Sequence, residues 1–256
     1  MKALKRMMGW VLGATVVVAS SGYAWGFANQ ESEPRLEEGP VLDVYQPVAA
    51  IPLGKILAVR GQVLVVHANA PERYWARTGL PLYRGDTLLT LTDGQIEGRL
   101  SDGSRFSLAP ASMLVIKKGV FDQERKHRLG DFFLGAGKAR FKVEDRDEFT
   151  RQEFKVQTGT AVVQTGASDF IVWASWTTTV VTALRNTQLE VMSTTDPTNI
   201  IALAEFQRTV VEQGETPSMV QAVSPEEVDQ MISDFRYSPQ LELSQPSGVR
   251  PESRSE

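Results

Sequence analysis

Apolar and polar positions alternate at short range through most of this chain. Within residues 95–116, Ile96, Phe106, Leu108, Leu114 and Ile116 fall on period two inside their runs. That is the pattern of strands with one buried face. Asp93-Gly94 and Asp102-Gly103, nine residues apart, separate alternating segments and predict hairpins. The runs at residues 53–59, 62–67, 87–91, 95–100, 105–108 and 112–116 read as strands. Pro71 to Thr78 interrupts them and carries Tyr74 and Trp75.

After a charged loop at residues 122–128 the alternation resumes at 132–134 and 139–143, punctuated by Gly130, Gly135 and Gly137. A second charged loop, 144–153, precedes strand-like runs at 154–158, 162–165, 169–174, 178–183, 188–192, 199–203 and 208–211. Threonine is dense from Thr158 to Thr198, and a β-branched hydroxyl residue suits a half-exposed pleated surface. No stretch here has helical periodicity and no strict repeat is present. The pattern predicts an all-β fold of many short antiparallel strands, in a sandwich or a β-roll.

One helix is predicted beyond it. Ser224-Pro225-Glu226-Glu227 places a cap, a proline at the first helical position and a glutamate three residues after the cap. Val228, Met231, Ile232 and Phe235 then fall at i, i+3, i+4 and i+7. The spacing predicts a short amphipathic helix over about 225–235 whose apolar face docks on the β domain, since so short a helix needs packing.

The two ends differ from this middle. Lys2, Lys5 and Arg6 precede an uncharged run from Met7 to Ala28 that ends in small residues, the order of a secretory signal. We expect cleavage near Ala28, although the same run is long enough to anchor in a bilayer. Either way the basic-then-acidic flanks put the bulk of the chain outside the cytoplasm, in the periplasm. The expected organisation is residues 1–28 as signal peptide or anchor, 29–52 as an acidic proline-containing linker, and 53–212 as the β domain. Residues 213–237 form an extension bearing the helix, and 238–256 a disordered tail rich in proline, serine and charge.

Composition narrows function by exclusion. The 256-residue chain has a formal charge of −4, and loss of its first 28 residues leaves 24 basic against 31 acidic residues, a net charge of −7. That balance argues against nucleic acid as the main partner. With no cysteine there are no disulfides, thiolate metal sites or cysteine nucleophiles. The two histidines, His67 and His127, have no second histidine beside them, so no zinc site is expected. Gly166-Ala167-Ser168 starts like a nucleophile elbow but lacks the closing glycine and the following helix. The loop carboxylates Glu144, Asp145, Asp147, Glu148 and Glu153 alternate with arginines and read as a solvated surface, with acid–base hydrolysis or calcium binding as alternatives. Lys117-Lys118 and residues 125–128 make a local basic patch suited to an anionic glycan or lipid headgroup. Tyr74, Trp75, Trp173 and Trp176 are the candidate ligand-binding residues, as aromatics in loops or on exposed strand faces. Trp173 and Trp176 would face opposite sides of one continuous strand. No catalytic residue, metal ligand or cofactor is assigned.

Several phrases together resemble the FecR domain family of bacterial envelope proteins. They are Gly54-Lys55-Ile56 with Gly61-Gln62-Val63, Leu82-Tyr83-Arg84-Gly85-Asp86-Thr87, Ser101-Asp102-Gly103-Ser104, and Leu129-Gly130-Asp131 through Val143. Phe154 to Thr158, Ala161 to Phe170 and Val180 to Val191 continue the likeness, which spans about residues 53–215. The chain departs from the family where Gly166-Ala167-Ser168-Asp169-Phe170 replaces a shorter Gly-Thr-x-Phe, and where Arg185-Asn186 replaces a glycine. The best-known members resembled are sigma-factor regulators with a sizeable cytoplasmic segment, whereas only Met1 to about Arg6 precedes the apolar run here. The resemblance therefore implies the extracytoplasmic β domain without the signalling role. The expected function is a non-enzymatic binding, sensing or scaffolding module, with an envelope or membrane protein as partner. A carbohydrate- or peptidoglycan-binding module is the alternative, and a hydrolase using the acidic loop a second.

Overall fold

The computed structural model describes residues 39–236 apart from residues 69, 71, 123, 125, 147 and 186. The expected leader, most of the linker and the tail lie outside the described residues. Strands are numbered in chain order. One sheet, A, runs β1 (Val41–Leu42), β4 (Arg73–Trp75), β3 (Val63–Val66), β6 (Thr87–Thr90), β9 (Ser112–Asp122) and the first part of β10 (His127–Val143). It continues through β11 (Arg151–Gln157), β12 (Ala161–Thr165), β15 (Leu189–Ser193) and β16 (Ile200–Leu203). The other sheet, B, runs β5 (Pro81–Leu82), β2 (Gly54–Arg60), β7 (Gln95–Leu100), β8 (Arg105–Leu108) and the second part of β10. It continues through β13 (Ser168–Ala174), β14 (Thr178–Ala183), β17 (Gln207–Glu212) and β18 (Gln221–Ala222). The fold is all-β. Most neighbours are antiparallel, and β1–β4 and β10–β11 are parallel.

The sheets stack face to face on one apolar core. Phe106, Phe141 and Phe170 come from sheet B, and Phe132 and Phe154 from sheet A; all five are buried. Ring centroids of Phe132 and Phe141 lie 5.6 Å apart and those of Phe141 and Phe154 5.7 Å apart, so the two layers interdigitate through aromatic edges. Ile96, Phe106, Leu108, Leu114 and Ile116 all lie in this core, as their period-two spacing requires.

Strand β10 belongs to both layers. Its buried residues are Arg128, Gly130, Phe132 and Leu134, then Ala139, Phe141 and Val143. The phase of the alternation slips by one residue between these sets, because side chains that face the core from sheet A must face it from the opposite side in sheet B. The register shifts between Leu134 and Ala136, and just beyond it Gly137 has a φ of +91°. A Cβ there would strike Ser112 and the Ala111 carbonyl, so glycine meets both the torsional and the steric demand.

Asp102-Gly103 closes the β7–β8 hairpin as expected, but Asp93-Gly94 does not make one. It turns the chain from β6 in sheet A to β7 in sheet B, and these strands pair with other neighbours. The reason is a stack of corners along one side of the sandwich. Leu91 donates its N–H to the Gln62 carbonyl at 2.9 Å, and Ala111 donates to the Leu91 carbonyl at 3.0 Å. Lys138 N–H then bonds Ser112 Oγ at 2.9 Å. Each corner is hydrogen-bonded to the next, which gives the sandwich the layered wrap of a roll. Two expected loops are also more regular than their sequences suggest. Residues 113–136 form one long β9–β10 pair around a short turn, and Arg73–Trp75 is strand β4.

The helix α1 (Pro225–Ser233) forms where predicted, with a capping box: Glu227 N–H bonds Ser224 Oγ at 3.2 Å and Ser224 N–H bonds a Glu227 carboxylate oxygen at 3.1 Å. It lies on the outer face of sheet B. Val228 and Phe235 pack there with Val223, Ala109, Ile171 and Leu184. Polar ties fix its direction across the strands. Glu227 approaches Arg208 of β17 at 3.8 Å, Asp234 pairs with Lys138 of β10, and the Asp234 carbonyl accepts from Gln95 Nε2 of β7 at 2.7 Å.

Candidate binding surface

The outer face of sheet B is only partly covered by α1. Beside the helix the register places Trp173 opposite Val180, and Val180 opposite Val210. Val210 in turn exchanges hydrogen bonds with Ser218, the neighbour of Met219. Trp173 is 40% exposed and Met219 87% exposed. Strand β13 ends at Ala174, so Trp176 sits in the following turn, 82% exposed. The turn is rigidly made: Ser175 N–H bonds the Thr178 carbonyl at 2.8 Å, and Thr178 N–H bonds Ser175 Oγ at 3.1 Å. Beneath it, buried Thr179 shares hydrogen bonds of 2.7 Å with both Thr158 and Thr160. Two tryptophans are therefore held in the open on one braced hairpin.

Tyr74 and Trp75 lie elsewhere, on β4 of sheet A. Trp75 is half-buried opposite Leu64. Tyr74 is buried in an aromatic cage with Tyr45 and Tyr83 around His67, whose ring centroid is 5.3–5.7 Å from theirs. His67 Nδ1 lies 2.7 Å from Asp86 Oδ1 and its Nε2 3.2 Å from the Gln46 carbonyl. Both ring nitrogens therefore face oxygen atoms of the surrounding chain. Asp86 also accepts from Tyr83 N–H at 2.8 Å. The Tyr45 hydroxyl donates to the Pro81 carbonyl at 3.0 Å. Burial, then the nearby Asp86 carboxylate, push its pKa above the ordinary tyrosine value. The cage straps residues 43–47 to the sheet. Its chain of partners is closed, which is how a structural cluster looks.

At the end of the sandwich that holds the acidic loop, Arg128 is 2% exposed. Its guanidinium donates to Asp102 Oδ2 at 2.6 Å, Ser104 Oγ at 2.7 Å, the Glu144 carbonyl at 2.6 Å and Gln152 Oε1 at 3.1 Å. Arg146 donates to the Asp102 carbonyl at 2.9 Å and pairs with Glu148 at 3.2 Å. The Glu144 carbonyl is thus turned inward to Arg128, and the Gln152 amide ties the loop by donating to the Arg146 carbonyl at 2.9 Å. A bond from its own backbone N–H and then the Arg146 guanidinium hold Glu148 below the ordinary carboxylate range. That is opposite to the shift a general acid near neutrality needs. Ser168 is buried at the start of β13, and among the described residues no hydrogen-bond partner meets its Oγ. Among the described residues no three carboxylate or histidine side chains converge as a cation site, and no helix is long and apolar enough to cross a membrane.

Sequence spacing found the tryptophans but not their setting. Neither the His67–Asp86 contact nor the Arg128–Asp102 contact has a local signal, since each joins residues 19 and 26 positions apart.

Comparison with known proteins places part of this architecture. Residues 86–196, the stretch from Asp86 through β15, match the family model of the FecR protein. No curated protein matches the chain. Among solved structures, two crystal structures of a Parabacteroides distasonis ATCC 8503 protein, by its description an anti-sigma factor candidate, are similar at 18% identity. The TM-scores are 0.44 and 0.43. The likeness covers 56% and 55% of this chain and 62% and 61% of those chains.

Proposed function

We propose that this chain is a non-enzymatic module of the bacterial envelope, facing the periplasm, that works by contact with a protein partner. The FecR match supports the regulatory or sensing class. The order of basic, apolar and acidic residues at the N-terminus supports export. One observation carries the contact reading: Trp173, Val180 and Val210 form an in-register row beside α1, in which both valines are half-buried while Trp173 and, at the adjoining turn, Trp176 are exposed. Exposed apolar area of this kind is uncommon on a solitary surface. Tryptophan is also the residue type most enriched where binding energy concentrates.

A second reading rests on Trp176 alone. A flat ring, 82% exposed at a braced turn, suits stacking on a sugar face, and the partner is then a cell-wall glycan.

The test is a photo-reactive residue in place of Val180, cross-linked in intact cells of the natural host and read by mass spectrometry. The recovered partner is then purified and titrated against wild type and Trp176→Ala. A single defined envelope protein whose affinity falls at least tenfold with Trp176→Ala supports protein contact. No protein cross-link, together with Trp176-dependent retention on isolated cell-wall polysaccharide, moves the function to glycan binding. Absence of both results removes the surface from consideration.

A further inference from the structure

The two sheets end on four strands, β1 and β16 in sheet A and β5 and β18 in sheet B. A strand at the end of a sheet offers unpaired backbone groups to any other strand, so such ends are usually kept short or broken by proline or charge. Three of the four follow that rule: β1, β5 and β18 have two residues each, and β5 begins with Pro81. Strand β16 does not. It has four residues, within a stretch from Pro197 to Ala204 that carries no charged side chain. Ile200 is 50% exposed, and Ala202 is also exposed.

The register shows which backbone groups of β16 are open. Thr194 N–H bonds the Thr160 carbonyl at 2.9 Å, one step beyond the Ala161–Ser193 pair. Even-numbered positions of β15 therefore bond to β12, and odd-numbered ones to β16. Ile201 lies opposite Val191 and Leu203 opposite Leu189, so these two exchange bonds with β15. Ile200 and Ala202 turn their N–H and C=O groups to the open side. Ala204 keeps the same alternation, since its N–H points away from β15 and bonds Gln207 Oε1 at 2.8 Å. Among the described residues no partner meets the outward backbone groups of Ile200 and Ala202.

We propose that β16 pairs with β16 of a second copy of this chain, antiparallel about a two-fold axis through Ile201, so that sheet A continues from one copy into the other. The partner is read from the strand itself. Its open groups sit symmetrically on either side of Ile201, and the axis turns them into four backbone bonds, between Ile200 of each copy and Ala202 of the other. On the outer face each exposed Ile200 then lies beside an alanine, a large side chain against a small one. On the inner face the two Ile201 side chains meet, each already packed against its own core. Glu205 falls opposite Pro197, so no like charges face each other. The proposal goes beyond the protein-contact reading and does not depend on it, since β16 and the tryptophan row share no residue. The contact closes on itself as a dimer, and one short strand pair makes it a small, reversible one.

The chain has no cysteine, so a single introduced thiol reports the register. The two Ile201 Cα atoms would lie about 4.5 Å apart, within reach of a disulfide. The two Ile200 Cα atoms would be out of step by two residues and more than about 7 Å apart, which a disulfide does not span. Mild oxidation of purified full-length Ile201→Cys is expected to give a covalent dimer, and Ile200→Cys to stay monomeric. Sedimentation equilibrium of the wild type is expected to show a concentration-dependent dimer. Ala202→Pro removes an open-side donor and no bond to β15, and proline is tolerated on such an edge. It should weaken the dimer at least tenfold with circular dichroism unchanged. If Ala202→Pro does not fold, a charge pair replaces it: Ile200→Lys with Ala202→Lys in one chain, and Ile200→Glu with Ala202→Glu in another. Each alone should be monomeric, and their mixture should form a one-to-one dimer. A wild type still monomeric at about 1 mM overturns the proposal. So does equal cross-linking of the two cysteine variants, or a folded Ala202→Pro chain that dimerises like the wild type. Protection of the Ile200 and Ala202 amides only when another protein is added assigns the edge to a foreign strand and likewise overturns self-pairing.

Discussion

The guanidinium of Arg128 and the carboxylate of Asp102 meet 2.6 Å apart inside the sandwich, joining the β7–β8 turn to the start of β10. Both side chains are almost wholly withdrawn from solvent. Desolvating two charges is costly, and their attraction offsets that cost only while both are present. Arg128→Ala leaves the carboxylate unpaired and is expected to destabilise the fold by about 3–5 kcal/mol. The double replacement Asp102→Leu with Arg128→Met should cost much less than either single change. Urea denaturation of the three variants measures this, and a mild Arg128→Ala would show that water or a neighbour replaces the lost partner.

Tyr45 gives a pH dependence with a defined sign. Its folded-state pKa is raised, so above the ordinary tyrosine value of about 10 the unfolded chain releases this proton first. The folded state then binds more protons than the unfolded state, and stability falls as pH rises from about 10. The contribution is complete below that value. Tyr45→Phe should flatten the alkaline decline and, by removing the hydrogen bond to Pro81, cost about 1 kcal/mol at neutral pH. Thermal melts between neutral and alkaline pH compare the two slopes; equal slopes would place the titration elsewhere.

Gly137→Ala forces a side chain into a backbone at φ +91° that also abuts Ser112 and Ala111. Torsional strain alone costs about 1–3 kcal/mol, and the clash adds to it by displacing the Lys138–Ser112 bond. The expected outcome is a lower denaturation midpoint with the all-β circular dichroism retained. An unchanged midpoint would mean that the crossing of β10 does not need glycine.

The Ser224 cap is exposed, and its loss is correspondingly modest. Ser224→Ala should cost about 1 kcal/mol and raise amide exchange first in residues 225–233. Exchange that rises equally in β13 and β14 would show that the helix and sheet B open as one unit.

The parts of this fold that were legible in the sequence are those set by local spacing. Ile96, Phe106, Leu108, Leu114 and Ile116 declare their face by period two, and Ser224 with Glu227 declares the helix start. What was not legible depends on which layer a strand joins. Asp93-Gly94 has hairpin chemistry, but the corner at Gln62 already occupies the neighbouring backbone and turns it into a crossing. Glycines 130, 135 and 137 look like breaks, and they lie inside one 17-residue strand because the ring of Phe154, the side chain of Met113 and the backbone at Ser112 each occupy the space that a side chain there would take. For the same reason Trp173 and Trp176 could be marked as candidates from sequence, but their braced hairpin and its neighbours Val180 and Val210 could not. Those contacts come from registers set across four strands.

The bond from Gln95 to the Asp234 carbonyl closes a loop of 139 residues. A chain delivered from its N-terminus, by a ribosome or through a translocation pore, presents β7 and β8 long before α1 emerges. Until it does, Ala109, Ile171 and Leu184 stand bare on the outer face of sheet B. The last of the described elements to arrive is also the one that covers this second apolar cluster, so the interval before it docks is the one in which that face is open. A chaperone that holds exposed sheet faces would be needed for as long as residues 223–235 remain behind.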